Sequence, residues 1–339
     1  MNYSEVLESA RQNIGPNCKA CPVCNGIACG NTLPGPGSKG PGNGANDNYN
    51  AWHKIKLNMD VIAPNVEIDT SAEFFGKKLN LPLFSAPIGS IKRQYNPTDD
   101  VRDFNEKCLA ACESRGTMHF YSSGLEESVH RSAIASRIAH GNSGVPVINP
   151  EADDNIIEQM KRCNETQSPV AITVVVDSAG LPHLKACHGT AGTKSVEQLK
   201  ALKEAAGVPF VVKGIMTAKS ALKAVDAGAD AIIVSNHGGR VLIDTPATAE
   251  VLEEIAKAVE GRAKIIVDGG IRSGVDMFKA YALGADYCMI CRPVLISYYG
   301  AGTEGIECYF DKLRNELVDA MYMCGARKIS DITRDMIRY

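Results

Sequence analysis

The chain has 339 residues, of which 45% are hydrophobic and 22% are charged, a composition typical of globular proteins. Its formal net charge is −3, so it lacks the basic excess expected of a nucleic-acid-binding protein. No run approaches about eighteen consecutive apolar residues, which argues against a membrane-spanning helix. A chain of this length can bury a core without disulfide bonds.

The first 46 residues differ in composition from the rest of the chain. Residues 1–17 have the pattern of a short amphipathic helix, not of a signal peptide, because acidic residues interrupt the apolar ones. The Gly/Pro-rich run GNTLPGPGSKGPGNGA excludes a regular helix or strand and is either a linker or a loop that approaches another group closely. We expect residues 1–46 to form an extension and residues 47–339 the main domain.

Four cysteines lie close together in this extension. Cys18, Cys21, Cys24 and Cys29 have the spacing C-x₂-C-x₂-C-x₄-C, whose first three members match the start of a bacterial ferredoxin motif. Without a signal peptide we expect a reducing, cytoplasmic location, where close cysteines favour metal binding over disulfides. Three interpretations remain open: a [4Fe-4S] cluster, a structural zinc ion, or free or disulfide-bonded thiols.

From about residue 80, short apolar runs alternate with helical patterns. The apolar runs are LPLFSAPIG (81–89), GTMHFYSSG (116–124), VPVINPEA (145–152), AITVVVD (171–177), PFVVKGI (209–215), AIIVSNHG (231–238), KIIVDGGI (264–271) and YCMICRPV (287–294). They are continuously apolar, as expected for parallel strands covered on both faces. The clearest helical patterns are SVEQLKALKEAA, TAKSALKAVDAG, TAEVLEEIAKAVEG and SGVDMFKAYALG. This alternation predicts an α/β fold of the (β/α)₈ TIM-barrel type.

An open, doubly wound sheet is the alternative fold. It would bring a Gly-rich dinucleotide fingerprint after the first strand, and SAPIGS does not match one.

In a TIM barrel the active site lies at the carboxyl ends of the strands. The last two strand ends carry Gly269 and Gly270, then Arg272 and Arg292, which suggests a phosphate site. Ordinary turn glycines with solvated arginines are the alternative. In SNHGGR, His237 is placed to remove a proton next to a carbon bearing a carboxylate that Arg240 would hold in bidentate fashion.

The motifs VKGI, SNHGGR, VDGGIRSG and CRPV, in this order, resemble the FMN-dependent 2-hydroxy-acid oxidase and dehydrogenase family, which includes glycolate and lactate oxidases. The similarity is strongest over residues 205–335 and traceable over residues 45–178. It implies oxidation of a small 2-hydroxy acid to the 2-keto acid, with hydride transfer to N5 of FMN.

The resemblance also implies roles for individual residues. His237 would be the base, Arg240 the carboxylate clamp and Asp177 the partner of the histidine, with Lys213 at the flavin N1. The residues implied to hold the flavin ring and the ribityl chain are Ala86, Pro87, Ile88, Ser122 and Ser235. Those implied to hold the ribityl phosphate are Asp268, Gly270, Arg272 and Arg292.

The sequence departs from the family at several points. The stretch before GAND is GPGN and lacks the family's substrate-binding tyrosine, and Asn149 stands nearest a second one. Only about seventeen residues separate Asp177 from the helix at Ser195, and none is the family's second substrate arginine.

These departures, and the four cysteines, leave the substrate's side chain and the electron acceptor open. We expect an acceptor other than oxygen, such as a cluster or a redox protein, and a homo-oligomer that binds neither nucleic acid nor membrane. A non-redox FMN enzyme resembling type 2 isopentenyl diphosphate isomerase, or a flavin- or metal-binding sensor, is the alternative.

Overall fold

A closed barrel of eight parallel strands forms the centre of the molecule. The computed structural model describes residues 1–40, 42–124, 126–181, 184 and 191–339. The barrel strands are β4 (Leu83–Ser85), β5 (Met118–Ser122), β6 (Gly144–Ile148), β7 (Ile172–Val175), β8 (Phe210–Ile215), β9 (Ala231–Val234), β10 (Lys264–Val267) and β11 (Tyr287–Ile290). They pair in chain order, and β11 pairs with β4 through Cys288 and Leu83 to close the barrel.

Helices surround the barrel and cover its outer face. They are α1 (Tyr3–Asn13), α2 (Gly44–Lys54), α3 (Ile91–Gln94), α4 (Val101–Arg115), α5 (Glu127–Ala139), α6 (Asp153–Asn164), α7 (Val196–Ala206), α8 (Ala218–Asp226), α9 (Thr248–Val259), α10 (Gly274–Ala282) and α11 (Arg292–Met323). Helix α11 bends at Ala301 and Gly302, where the backbone is not helical.

A short hairpin closes the amino end of the barrel. Strands β2 (Ala72–Phe74) and β3 (Lys77–Leu79) place Phe74 with its ring centroid 4.9 Å from that of Phe84 and 5.1 Å from that of Tyr287. These rings are completely or almost completely buried and fill the lower barrel. Because this end is plugged, the open end lies at the carboxyl ends of the strands.

The chain termini pack against each other across the outer helices. The Tyr3 ring of α1 stacks on Tyr309 of α11 with 5.0 Å between centroids. Strand β1 (Lys56–Leu57) pairs with β12 (Ile337–Arg338) in antiparallel fashion. The N-terminal extension is therefore packed onto the barrel.

The sequence prediction of a TIM barrel is confirmed, and the doubly wound alternative is wrong because the sheet closes on itself. Seven of the eight apolar runs contain one barrel strand each, and the run at 145–152 overlaps β6, which begins one residue earlier at Gly144. The predicted helices begin where a side chain caps them: Ser195 and Gln198 form a capping box at α7, and Ser273 and Asp276 form one at α10. None of the described helices is both long and apolar enough to cross a membrane.

Close packing of α10 on α11 depends on Gly274, so substitution there tests the fold. A Cβ atom on Gly274 would lie 2.1 Å from the Leu317 nitrogen and 2.3 Å from the Leu313 oxygen. We expect Gly274→Ala to lower the free energy of unfolding by about 3 kcal/mol in urea denaturation. Gly192→Ala is the control, because its Cβ would meet no atom of the described residues within 4 Å and the substitution should change stability by less than about 0.5 kcal/mol. Equal effects of the two substitutions would contradict this packing.

Candidate active site

A deep cleft opens at the carboxyl ends of the barrel strands. Its empty volume, including open solvent at the mouth, is about 1240 Å³. The predicted site residues that line it are Ala86, Pro87, Ile88, Ser122, Lys213, His237, Arg240, Asp268, Gly270, Arg272 and Arg292. Asp177 and Ser235 lie directly behind them and bond to His237 and Lys213. Residues from seven strand ends and the intervening turns therefore meet in one cavity.

His237 and Asp177 form a hydrogen-bonded pair at one wall of the cleft. The His237 Nδ1 lies 3.1 Å from Asp177 Oδ1 and 3.2 Å from Oδ2. Burial raises the pKa of Asp177, but the neighbouring His237 and Lys213 outweigh it and lower the pKa below its ordinary value. The carboxylate is therefore ionised and can only accept, so Nδ1 carries a proton, and in a neutral imidazole Nε2 is then the nitrogen with the lone pair.

The backbone is unusual at His237 and at Gly214, which packs against Asp177. His237 lies in the left-handed region with φ 56°, followed by Gly238 and Gly239 at 66° and 75°. Opposite, Gly214 at φ 105° has no Cβ, which would otherwise lie 2.6 Å from the Asp177 side chain. A left-handed non-glycine residue costs about 1–3 kcal/mol and persists only where its surroundings hold it.

Lys213 extends from β8 into the floor of the cleft. Its side chain is almost fully buried, and its Nζ lies 2.9 Å from Asp268 Oδ2 and 2.5 Å from Ser235 Oγ. Burial alone lowers the pKa of Lys213, but attraction by Asp268 and Asp177 reverses this and raises it above its ordinary value. The floor therefore carries a fixed positive charge at neutral pH.

Arg240 is held by the Gly/Pro-rich loop. Its Nη1 donates to the carbonyl oxygens of Gly35 and Gly37 at 2.6 and 3.1 Å, and its Nη2 donates to Gln94 Oε1 at 3.1 Å. A guanidinium has five N–H donors, so two remain for a ligand. Pro36 of the loop lines the cleft, so this run is not a free linker but a wall of the site.

The residues predicted to form a phosphate site lie in the turn after β10 and at the start of α11. Gly269 and Gly270 have φ of 91° and 81°, and α10 begins four residues after Gly270. Arg292 donates from Nη2 to the Gly238 carbonyl at 3.2 Å, while its buried Nη1 has no hydrogen-bond partner among the described residues. Arg272 lines the cleft but donates from Nε to the Cys24 carbonyl at 2.6 Å.

The sequence prediction missed the contact that fixes the catalytic turn. Asn48 of α2 and Asn236 exchange two side-chain hydrogen bonds, of 2.7 and 3.1 Å, and both are buried. Trp52 of the same helix donates from Nε1 to the Gly269 carbonyl at 2.7 Å. The signals were present in GANDN and SNHGGR, but their meaning depends on two segments 188 residues apart.

The four N-terminal cysteines lie in the segment between α1 and α2, and all are partly buried free thiols. Burial raises the pKa of Cys18 to about 12, and Cys24, Cys29 and Cys21 add to the rise, so their sulfurs lie within electrostatic range of it. Among the described residues, no three His, Cys, Asp or Glu side chains are arranged so as to hold a metal ion. The thiols are therefore neighbours without forming a ready-made metal site.

The short loop after β7 is only partly described. Leu181 and Leu184 line the cleft together with Val147, Val175 and Asn149. Residues 182, 183 and 185–190, which make up about half of the stretch predicted to lack the second substrate arginine, lie outside the described residues.

The buried pair of Lys213 and Asp268 generates a stability prediction. At pH 7 we expect Asp268→Asn to lower the free energy of unfolding by about 3 kcal/mol, because it leaves a buried ammonium with one fewer partner. The raised pKa of Lys213 means that the pair contributes below about pH 10.4 and that its contribution is lost as the pH rises through the folded-state value. Urea denaturation should therefore show a smaller difference at about pH 11 than at pH 7.

The matched control is Asp286→Asn. Its partner Lys264 lies 3.3 Å away, and their side chains are 36% and 52% exposed, so we expect a change below about 1 kcal/mol. A loss as large as that of Asp268→Asn would contradict the distinction between the two pairs.

Comparisons with known proteins agree with this geometry. The sequence profile of the family described as FMN-dependent dehydrogenase matches residues 36–185 and 183–339. A peroxisomal (S)-2-hydroxyacid oxidase of Arabidopsis thaliana is 32% identical over 329 residues, covering 86% of this chain and 87% of the relative. An L-lactate oxidase of Lactobacillus jensenii is 45% identical over 137 residues, covering 40% of this chain and 34% of that protein.

Solved structures of relatives share the fold. A mandelate oxidase with a monooxide FMN adduct has a TM-score of 0.75 and 28% identity, covering 89% of this chain and 93% of that one. A mandelate oxidase with (S)-4-hydroxymandelic acid has a TM-score of 0.80 at 24% identity, covering 99% of this chain and 98% of that one. Two matches of the profile span most of the chain, and the chain therefore belongs to the family of FMN-dependent 2-hydroxy-acid oxidases and dehydrogenases.

Proposed function

We propose that this protein oxidises a small 2-hydroxy acid to the 2-keto acid with His237 as base and Arg240 as carboxylate clamp. FMN-dependent oxidation of 2-hydroxy acids is the chemistry of its family. The observation that carries the proposal is the joint placement of His237, Arg240 and Lys213 on the walls of one cleft. An isomerase or a sensor has no need of this set.

The residues fit FMN at the phosphate end. The guanidinium of Arg292 has a buried Nη1 with no hydrogen-bond partner among the described residues, so it can donate to a phosphate oxygen. Gly269 and Gly270 have no side chains that would keep the phosphate from the backbone. Ala86, Pro87, Ile88 and Ser122 would lie along the ring, Ser235 near the ribityl chain, and Asp268, Gly270, Arg272 and Arg292 around the phosphate. Bound FMN supplies the hydride acceptor.

The protein's own residues move the proton and orient the substrate. Because Nδ1 of His237 donates to Asp177, its Nε2 accepts the hydroxyl proton of the substrate. The Asp177 carboxylate then stabilises the imidazolium that forms. The two remaining donors of Arg240 hold the substrate carboxylate. The ammonium of Lys213 would stabilise negative charge on bound FMN.

A flavin-reduction experiment tests this assignment. The protein is purified without oxygen and mixed with a panel of small 2-hydroxy acids while the flavin absorption is recorded. We expect at least one acid to bleach the flavin, and His237→Ala to slow the bleaching by about 10³-fold because the base is lost. His53→Ala, an exposed histidine of α2, is the control and should leave the rate unchanged. A flavin that no hydroxy acid bleaches would overturn the proposal.

We propose further that Cys18, Cys21, Cys24 and Cys29 bind a redox metal centre, a [4Fe-4S] cluster in preference to zinc. The four thiols lie within twelve residues of one another, and metal binding itself deprotonates and gathers such ligands. The Cys24 carbonyl contacts Arg272 at the cleft, so the centre would stand beside the cofactor. Such a centre supplies one-electron transfer to an acceptor other than oxygen.

Metal analysis of the anaerobically purified protein tests this second proposal. We expect about four iron atoms and acid-labile sulfide per chain, lost in Cys24→Ser and kept in Cys308→Ser, a cysteine of α11 outside the motif. One zinc ion per chain in place of iron would contradict the redox role. Thiols that remain free and metal-free would overturn the metal site itself.

We propose that the electron acceptor is a redox protein that docks near the four N-terminal cysteines.

We also propose that the protein is a homo-oligomer in the cytoplasm. Self-association would cover the apolar side chains of Met59, Val61 and Ile62, which are 71%, 55% and 94% exposed. The eleven free thiols among the described residues suit a reducing compartment such as the cytoplasm.

A further inference from the structure

Tyr95 follows α3 and lines the cleft, yet its side chain has no hydrogen-bond partner among the described residues. Only 3% of the residue is exposed. Unlike the hydroxyls of Tyr121 and Tyr299, that of Tyr95 is not among the buried side-chain atoms left without a partner, so it reaches the open space of the cleft. The hydroxyl is therefore free to donate a hydrogen bond to a molecule bound in the cleft.

The charges around Tyr95 identify the kind of partner. Burial raises the pKa of Tyr95 well above its ordinary value, and the nearby Arg292 and Arg240 oppose the rise without cancelling it. The hydroxyl is therefore protonated at any working pH. Guanidinium groups only donate, so neither arginine can accept the phenol proton. Two guanidinium groups beside this donor favour an anion as the bound acceptor, because an anion accepts from all three groups.

The local structure holds Tyr95 toward the carboxylate clamp. The preceding residue, Gln94, accepts from Arg240 Nη2 at 3.1 Å, and its carbonyl accepts from Asn17 Nδ2 at 3.3 Å. Gly15 packs so closely that a Cβ there would lie 2.7 Å from the Tyr95 carbonyl oxygen. The N-terminal segment thus fixes the end of α3 against Arg240.

We infer that Tyr95 is a substrate-binding residue whose hydroxyl donates a hydrogen bond to the carboxylate held by Arg240. The inference deepens the proposed function and rests on it for the identity of the anion. Arg240, in the turn after β9, and Tyr95, which follows α3, then bind the same carboxylate. Specificity for a free acid over an ester or amide follows from this arrangement.

Binding of a non-oxidisable carboxylate tests the inference apart from turnover. Oxalate is titrated into the FMN-loaded protein by calorimetry. We expect Tyr95→Phe to weaken oxalate binding by about tenfold, the loss of one hydrogen bond to a charged group. Tyr299→Phe is the matched control: its ring lies 6.5 Å from that of Tyr95, and it is not among the described residues that line the cleft. It should change affinity by less than about twofold.

The substrate found by flavin bleaching provides a second readout. In Tyr95→Phe its apparent dissociation constant should rise about tenfold, while the limiting rate of bleaching changes less than about threefold. A merely structural tyrosine would not separate the two quantities.

The outcomes distinguish this inference from the proposed function. Wild-type binding of oxalate without bleaching by any hydroxy acid would overturn the function and leave Tyr95 as an anion-binding residue. Unchanged oxalate affinity in Tyr95→Phe, or no oxalate binding by the wild type, would overturn the inference. Weaker binding of FMN in place of oxalate would also overturn it, because it would assign Tyr95 to the phosphate.

Discussion

The reciprocal hydrogen bonds between Asn48 and Asn236 are the contact on which the geometry of the site depends. Both side chains are buried, and the Asn236 Oδ1 also accepts from the Gly238 nitrogen at 3.0 Å. The amide therefore ties helix α2 to the turn that holds His237 in its left-handed conformation. Loss of either hydrogen bond would leave a buried amide group without a partner, which is unfavourable. The positions of helix α2 and of the turn at His237 therefore depend on each other.

Charge in the cleft is organised by two buried carboxylates with different partners. Asp177 faces His237, and Asp268 faces Lys213, so an imidazole and an ammonium, each paired with a carboxylate, lie at the ends of neighbouring strands. The barrel makes this separation possible because each strand end delivers one functional group to a common rim. A buried charge without a partner would be unfavourable, and here each ionised side chain lies next to a group that offsets this cost.

The barrel and the position of His237 at a strand end could be predicted from the sequence because their signals are local. Eight apolar runs predicted eight strands, and SNHGGR placed His237 at a strand end. Pairing across the fold could not be predicted in this way: Tyr95 lies in IKRQY, which has no motif, and becomes notable only when Arg240 is beside it. The role of the Gly/Pro-rich run could not be predicted either. Its backbone carbonyl groups bind Arg240, and every residue type has such a group, so the sequence does not show which of them will be used.

Gly238 and Arg292 constrain each other although 54 residues of chain separate them. A Cβ on Gly238 would lie 2.1 Å from Nη2 of Arg292, whose same nitrogen donates to the Gly238 carbonyl. Any side chain at position 238 would displace the guanidinium, and a shorter residue at position 292 would leave the carbonyl without its donor. A substitution at either position therefore changes the surroundings of the other, so the geometry of this corner of the site is a joint property of the two residues.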